Sequence, residues 1–176
     1  NPQSEGSVSG TSNLNLENLD LYGDLLAVCA HEEGVLLYDI SNPSDPFYTS
    51  TINTENAWAV ALNNNYAFIA DEDKVLIYTV SDLSSPDYMG EIQLSNAVKD
   101  LVLVENILYS AIGSDGIAMY DINASNPSVF QFLDNYNTNT MANRITSFDG
   151  GIAISDWDDV DVVQWNGSEL EHIGYK

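Results

Sequence analysis

The apolar hexamer VLLYDI at Val35 returns as VLIYTV at Val75, IAMYDI at Ile117 and VDVVQW at Val160, at spacings of 40, 42 and 43 residues. A chain that repeats itself at this period builds one supersecondary unit several times and buries its apolar faces by stacking the copies. The clearest unit runs AWAVAL, a turn NNN, YAFIAD, a turn EDK, VLIYTV, a turn SDLSSP, then DYMGEIQL. These are runs of strand length, rich in Val, Ile and Tyr and bounded by turn residues. No run of helical length keeps a 3.6-residue period, so helices are few or absent.

Four short antiparallel strands per unit of about 40 residues is the sequence form of a β-propeller blade. The third strand of each unit is nearly all apolar rather than alternating, which demands burial on both faces. The expected fold is therefore all-β: a β-propeller of four four-stranded antiparallel blades, either complete or part of a larger ring. The units fall at 13–54, 55–95, 96–137 and 138–176, and 1–12 reads as the tail of a preceding blade. Four blades is the low end for a propeller, and an uncovered terminal blade would expose an apolar sheet face. A closed four-blade ring, two chains sharing an eight-blade ring, and a piece of a longer propeller all answer that problem. The opening NPQSEGSVSG, similar to NPSDPFYTST at a blade's end, favours the last.

The segment VLLYDISNPSDP resembles the LVIVD repeat of bacterial and archaeal envelope proteins. IAMYDINASNP is close to it, VLIYTVSDLSSP keeps the apolar half, and VDVVQWNGSE keeps only the apolar pattern. The resemblance implies a propeller in an extracellular or cell-envelope setting and brings no catalytic signature. The residues themselves give Asp39 and Asp121 a turn-holding role. Pro43, Pro46, Pro86 and Pro127 fix the connection to the outer strand.

With 27 acidic and four basic residues the chain carries a formal net charge of -23. Such a balance repels phosphate backbones and anionic lipid, which excludes nucleic acid and a bare membrane surface as partners. No apolar run is long enough to span a bilayer. The absence of an initiating Met and of a signal peptide points to a processed mature chain or a piece of a longer one. Cys29 lies in the apolar run LLAVCA and reads as a buried, inert thiol.

Equivalent turns of a propeller emerge on one end, so the turns between second and third strands predict an acidic rim. It comprises Glu32, Glu33, Asp71, Glu72, Asp73, Asp115, Asp156, Asp158 and Asp159, opposed by Lys74 and His31. The other end, rich in Asn, Ser, Gly and Pro, is expected to be less charged. Within DWDDVD, Asp156, Asp158 and Asp159 are the candidate calcium ligands. Asp161 is assigned to the third strand and left out, and the spacing does not fit an EF-hand loop. Asn123 and Asn166 head glycosylation triplets, or serve simply as turn asparagines. No zinc spacing, nucleophile elbow or phosphate loop is present.

The leading reading is a non-enzymatic surface propeller that binds or scaffolds a protein or glycan through one acidic face. A calcium-dependent propeller enzyme and a structural subunit of a surface assembly are the alternatives.

Overall fold

The computed structural model describes residues 6–8, 10–123 and 125–175. Its ordered elements are sixteen strands in four sheets, each a meander in chain order with every neighbouring pair antiparallel. Blade 1 holds β1 (Asn18–Tyr22), β2 (Leu25–Cys29), β3 (Val35–Asp39) and β4 (Phe47–Ile52). Blade 2 holds β5 (Ala57–Leu62), β6 (Tyr66–Asp71), β7 (Lys74–Thr79) and β8 (Asp87–Gln93). Blade 3 holds β9 (Asp100–Val104), β10 (Ile107–Ala111), β11 (Ile117–Ile122) and β12 (Phe130–Tyr136). Blade 4 holds β13 (Ala142–Phe148), β14 (Gly151–Asp156), β15 (Asp159–Trp165) and β16 (Leu170–Tyr175). Among the described residues no helix is long and apolar enough to cross a membrane.

The repeated letters now have physical roles. In every blade the ladder between third and fourth strands slips by one residue, at Leu37/Tyr38, Ile77/Tyr78, Met119/Tyr120 and Val162/Val163. Such a bulge bends and twists the outer strand. Beside it the tyrosine of the first three repeats meets an outer-strand aromatic edge to face, Tyr38 with Tyr48, Tyr78 with Tyr88, and Tyr120 with Phe132. Asp39 accepts the Ser41 N–H at 2.8 Å, the turn role expected of it. In blade 3 that role passes from Asp121 to Asn123, whose Oδ1 accepts from the Ser125 and Asn126 N–H groups.

Three apolar seams join the blades. Ala27, Cys29, Val35 and Leu37 of blade 1 pack on Val60, Leu62, Ile69 and Leu76 of blade 2. Phe68, Val75 and Ile77 of blade 2 pack on Leu101, Leu108 and Tyr120 of blade 3. Tyr109, Ile117 and Met119 of blade 3 pack on Ile145, Ile152, Ile154 and Val163 of blade 4. Cys29 sits inside the first seam, where burial pushes its thiol far above the usual range.

Each seam is also pinned by one recurring hydrogen bond. The first residue of the turn after the second strand has positive φ: His31 at 50°, Glu72 at 55° and Gly113 at 59°. Its carbonyl then points to the next blade and accepts the N–H of Ala57, Val98 or Ala142, at 3.0, 2.7 and 2.9 Å. Among the described residues no apolar cluster joins blade 4 to blade 1. The outer face of blade 1 (Val28, Ala30, Leu36, Tyr38) instead packs against Val8 and Leu14 of the N-terminal segment. Residues 1–5 and 9 of the expected blade tail lie outside the described residues, and the rest of 1–12 forms no strand.

Candidate functional site

The turns between second and third strands emerge together at one end, but their nine carboxylates are not equivalent. Glu32, Glu33, Glu72, Asp73 and Asp158 are exposed, and Asp115 and Asp159 are half-buried. Asp71 and Asp156 are buried and belong to the framework. The Asp71 carboxylate accepts the N–H groups of Asn56 at 2.6 Å and Glu55 at 3.2 Å. Asp156 does the same for Thr140 at 3.1 Å and Asp159 at 3.2 Å. Both residues end a second strand and tie down the segment that enters their own blade. They are corrections to the predicted rim, whose exposed part is smaller.

The expectation of one charged end is also corrected. The opposite end exposes Asp24, Asp45, Asp82, Asp87, Glu105, Asp121, Asp149 and Glu169. Among the described residues the cations Lys74, Lys99 and Arg144 all lie at the predicted acidic rim. Lys99 lies over the Trp58 ring at 4.7 Å, and Arg144 binds Glu17 at 2.6 Å and the Lys99 carbonyl at 3.0 Å. His31 is turned inward, edge-on to Trp58, with Nδ1 3.0 Å from Asn56 Oδ1 and Nε2 3.5 Å from Glu17. The turn asparagines and serines at the other end thus sit among carboxylates with no described cation, which turn composition alone did not reveal.

The candidate calcium group changes membership. Carboxylate oxygens of Asp156, Asp159 and Asp161 lie within 4.8 Å of one another, and Asp158 is outside this group. Asp158 folds back so that its carboxylate accepts the Thr140 hydroxyl at 3.0 Å. Asp161 is buried and pairs with His172 at 3.2 Å. Residues two apart on a strand share a face, so the strand assignment that removed Asp161 is what places it beside Asp159. Burial, joined by the Asp156, Asp161 and Asp158 carboxylates, raises the Asp159 carboxyl above its ordinary value. Burial alone would raise Asp156, but the N–H donors of Thr140 and Asp159 outweigh it and lower that carboxyl. Burial and the neighbouring Asp161 push Tyr136 up to about 12.

A cavity of about 670 Å³ runs along the axis, lined by residues of β1, β5, β9 and β13. Two of its carboxylates serve the seams. Asp20 accepts the Leu62 N–H at 2.7 Å, and Asp100 accepts those of Ile145 at 2.9 Å and Leu101 at 3.0 Å. Burial nevertheless raises the Asp100 carboxyl. Asn123 and Asn166 are exposed turn residues. The Asn166 Oδ1 accepts from the Ser168 and Glu169 N–H groups, and its amide donates to Glu171.

A family model described as the LVIVD repeat matches residues 15–54, 55–93 and 96–138, three consecutive repeats. No curated protein matches the chain in sequence. The fold is similar to that of solved proteins at 14% identity. The computationally designed Ika4 protein is covered over 99% of its length by 98% of this chain, with a TM-score of 0.69. The designed Ika8 protein aligns with 96% of this chain at a TM-score of 0.69. A protein from Lactobacillus plantarum aligns with 97% of this chain at a TM-score of 0.77. This chain spans only about half the length of those last two, 51% and 57%.

Proposed function

The chain belongs to the LVIVD repeat family, and from that premise we propose that it is a non-enzymatic binding or scaffolding propeller of the cell envelope or extracellular space whose partner is a cationic protein surface. The observation that carries this reading is the charge layout. Carboxylates are exposed at both ends, while two of the three described cations, Lys99 and Arg144, are occupied inside the molecule. Such a surface attracts basic partners over a long range and repels anionic ones. The carboxylates nearest the axis, Asp20 and Asp100, accept backbone N–H groups across the seams, which favours a structural role over acid–base chemistry. A glycan partner is the second reading. It is favoured by aromatic rings repeated on the outer strands, Tyr48, Tyr88 and Phe132, each with at least 41% of its surface exposed.

Calorimetric titration with poly-lysine and with poly-glutamate tests the leading reading. Binding of poly-lysine alone, weakening as salt rises, is expected. Binding that ignores salt, or binding of poly-glutamate, would overturn it, and saturable quenching of tyrosine fluorescence by neutral oligosaccharides would move the case to the glycan reading.

A further inference from the structure

Blade 1 breaks the rule the other blades keep. Val60, Leu101 and Ile145 occupy one position of the innermost strand, facing the preceding blade, and are 3%, 6% and 8% exposed. Leu19 holds that position in blade 1, paired with Val28 as Val60 is with Ile69, and is 63% exposed. Leu21, two residues on, is 53% exposed. Blade 4 is bare in the complementary way. Trp157 stands where His31, Glu72 and Gly113 offer their carbonyls to the next blade, and it is 77% exposed.

The two bare faces also stand apart in charge. On blade 4 the cross-strand sets Arg144, Ser155, Val160 and Thr146, Ala153, Val162 contain no carboxylate. On blade 1 the sets Leu19, Val28, Leu36 and Leu21, Leu26, Tyr38 contain none either; only their inner-strand members Leu19 and Leu21 are bare, Val28, Leu36 and Tyr38 being buried beneath Val8 and Leu14, and Glu17 lies at their edge. In a chain with 27 acidic residues, rows free of carboxylates on the inner strands, with Arg144 on one face and Glu17 bordering the other, are complementary surfaces, and Glu171, opposite Gln164, adds a carboxylate only on blade 4's outer strand. Among the described residues the ion pair of Glu17 with Arg144 joins them within one chain, while Leu19 and Leu21 border the open axial cavity.

We propose that a second copy of this chain fills the gap, blade 4 of each copy docking on blade 1 of the other to close a ring of eight blades. The contact continues the three seams already made, since blade 4 offers the trailing face and blade 1 the leading face of the same joint, with the partner's blade 4 taking the place that Val8 and Leu14 hold in the single chain. Two copies related by a two-fold axis make that joint twice and leave no end. Arg144 of one copy then pairs with Glu17 of the other, in exchange for the pair each single chain makes with itself. The fold accommodates such a ring, because solved chains of this fold run to about twice this length.

Sedimentation of the full chain across the micromolar range is expected to give two chains per particle. Leu19→Asp, at a side chain that a single chain leaves in solvent, should give one chain per particle with an unchanged circular dichroism spectrum. E17R alone and R144E alone should both weaken pairing, and mixing the two should restore it, because both joints of the mixed pair then carry opposite charges. A native chain that stays single, one that grows into open filaments, or a mixture that behaves as the sum of its parts would each overturn the proposal.

Discussion

Blades 2 and 4 share one strand plan and differ in how many faces they bury. In blade 2 the strand YAFIAD is buried from its second residue to its last, because blade 1 covers one face and blade 3 the other. In blade 4 the third strand alternates, a correction to the expectation that every third strand is buried on both faces: Asp161 and Val163 point to blade 3, while Val160 and Gln164 are exposed. Sequence follows suit, since a sheet covered twice needs continuous apolar strands and a sheet covered once needs only every second residue. The three matched repeats stop at residue 138, where that requirement is relaxed.

The largest test of this contrast is a cavity. Phe68 is fully buried between blades 2 and 3, and Phe68→Ala should cost about 3–5 kcal/mol in urea unfolding. Its register counterpart in blade 4 is Ala153, where Ala153→Ser, made in the Leu19→Asp chain that stays single, should stay within about 0.5 kcal/mol. Equal effects would mean that blade 4 is covered on both sides in the free chain.

The next test uses the backbone. Gly116 has φ of 80°, and a Cβ there would run into the Tyr136 carbonyl, so Gly116→Ala should cost about 3 kcal/mol by thermal melting. Gly167 in blade 4 has φ of 98° with nothing near it, so Gly167→Ala should cost only about 1 kcal/mol.

A smaller effect is expected where the two blades agree. Asp71→Ala and Asp156→Ala each strand two backbone N–H groups and should each cost about 2 kcal/mol. Asp156 adds a pH signature. Its carboxyl is lowered in the fold, so its contribution is present above the ordinary carboxylate value and is lost as pH falls through the lowered one. Melting temperatures followed from about pH 5 to about pH 2 should fall less steeply in Asp156→Asn than in the native chain. The smallest effect belongs to Val162→Ala in the single Leu19→Asp chain, where its face is left without a blade, below about 1 kcal/mol, against a larger loss for its buried counterpart Ile77→Ala, about 2–4 kcal/mol.

Much of the fold was legible because it is periodic. AWAVAL, YAFIAD, IAMYDI and GIAISD are strands with the limits their letters suggest, since Val, Ile and aromatic runs bounded by turn residues leave few other folds. The candidate site was less legible because burial is not periodic. Asp71 and Asp73 are two letters apart in one turn, yet the first accepts two backbone N–H groups and the second faces water. Asp161 could have been found by applying strand alternation to VDVVQW, whereas Lys99 and Arg144 reach the acidic end only through the path of the first strands.

Sequence alone determined the repeat, the four-strand unit, the turns and the overall negative charge, because these depend on local propensity and counting. Only the tertiary structure decided which carboxylates are framework, where the few cations stand, and which two faces are left without a neighbouring blade. Those depend on the angle and order in which blades stack, and on the seams that either exclude water or leave it in place.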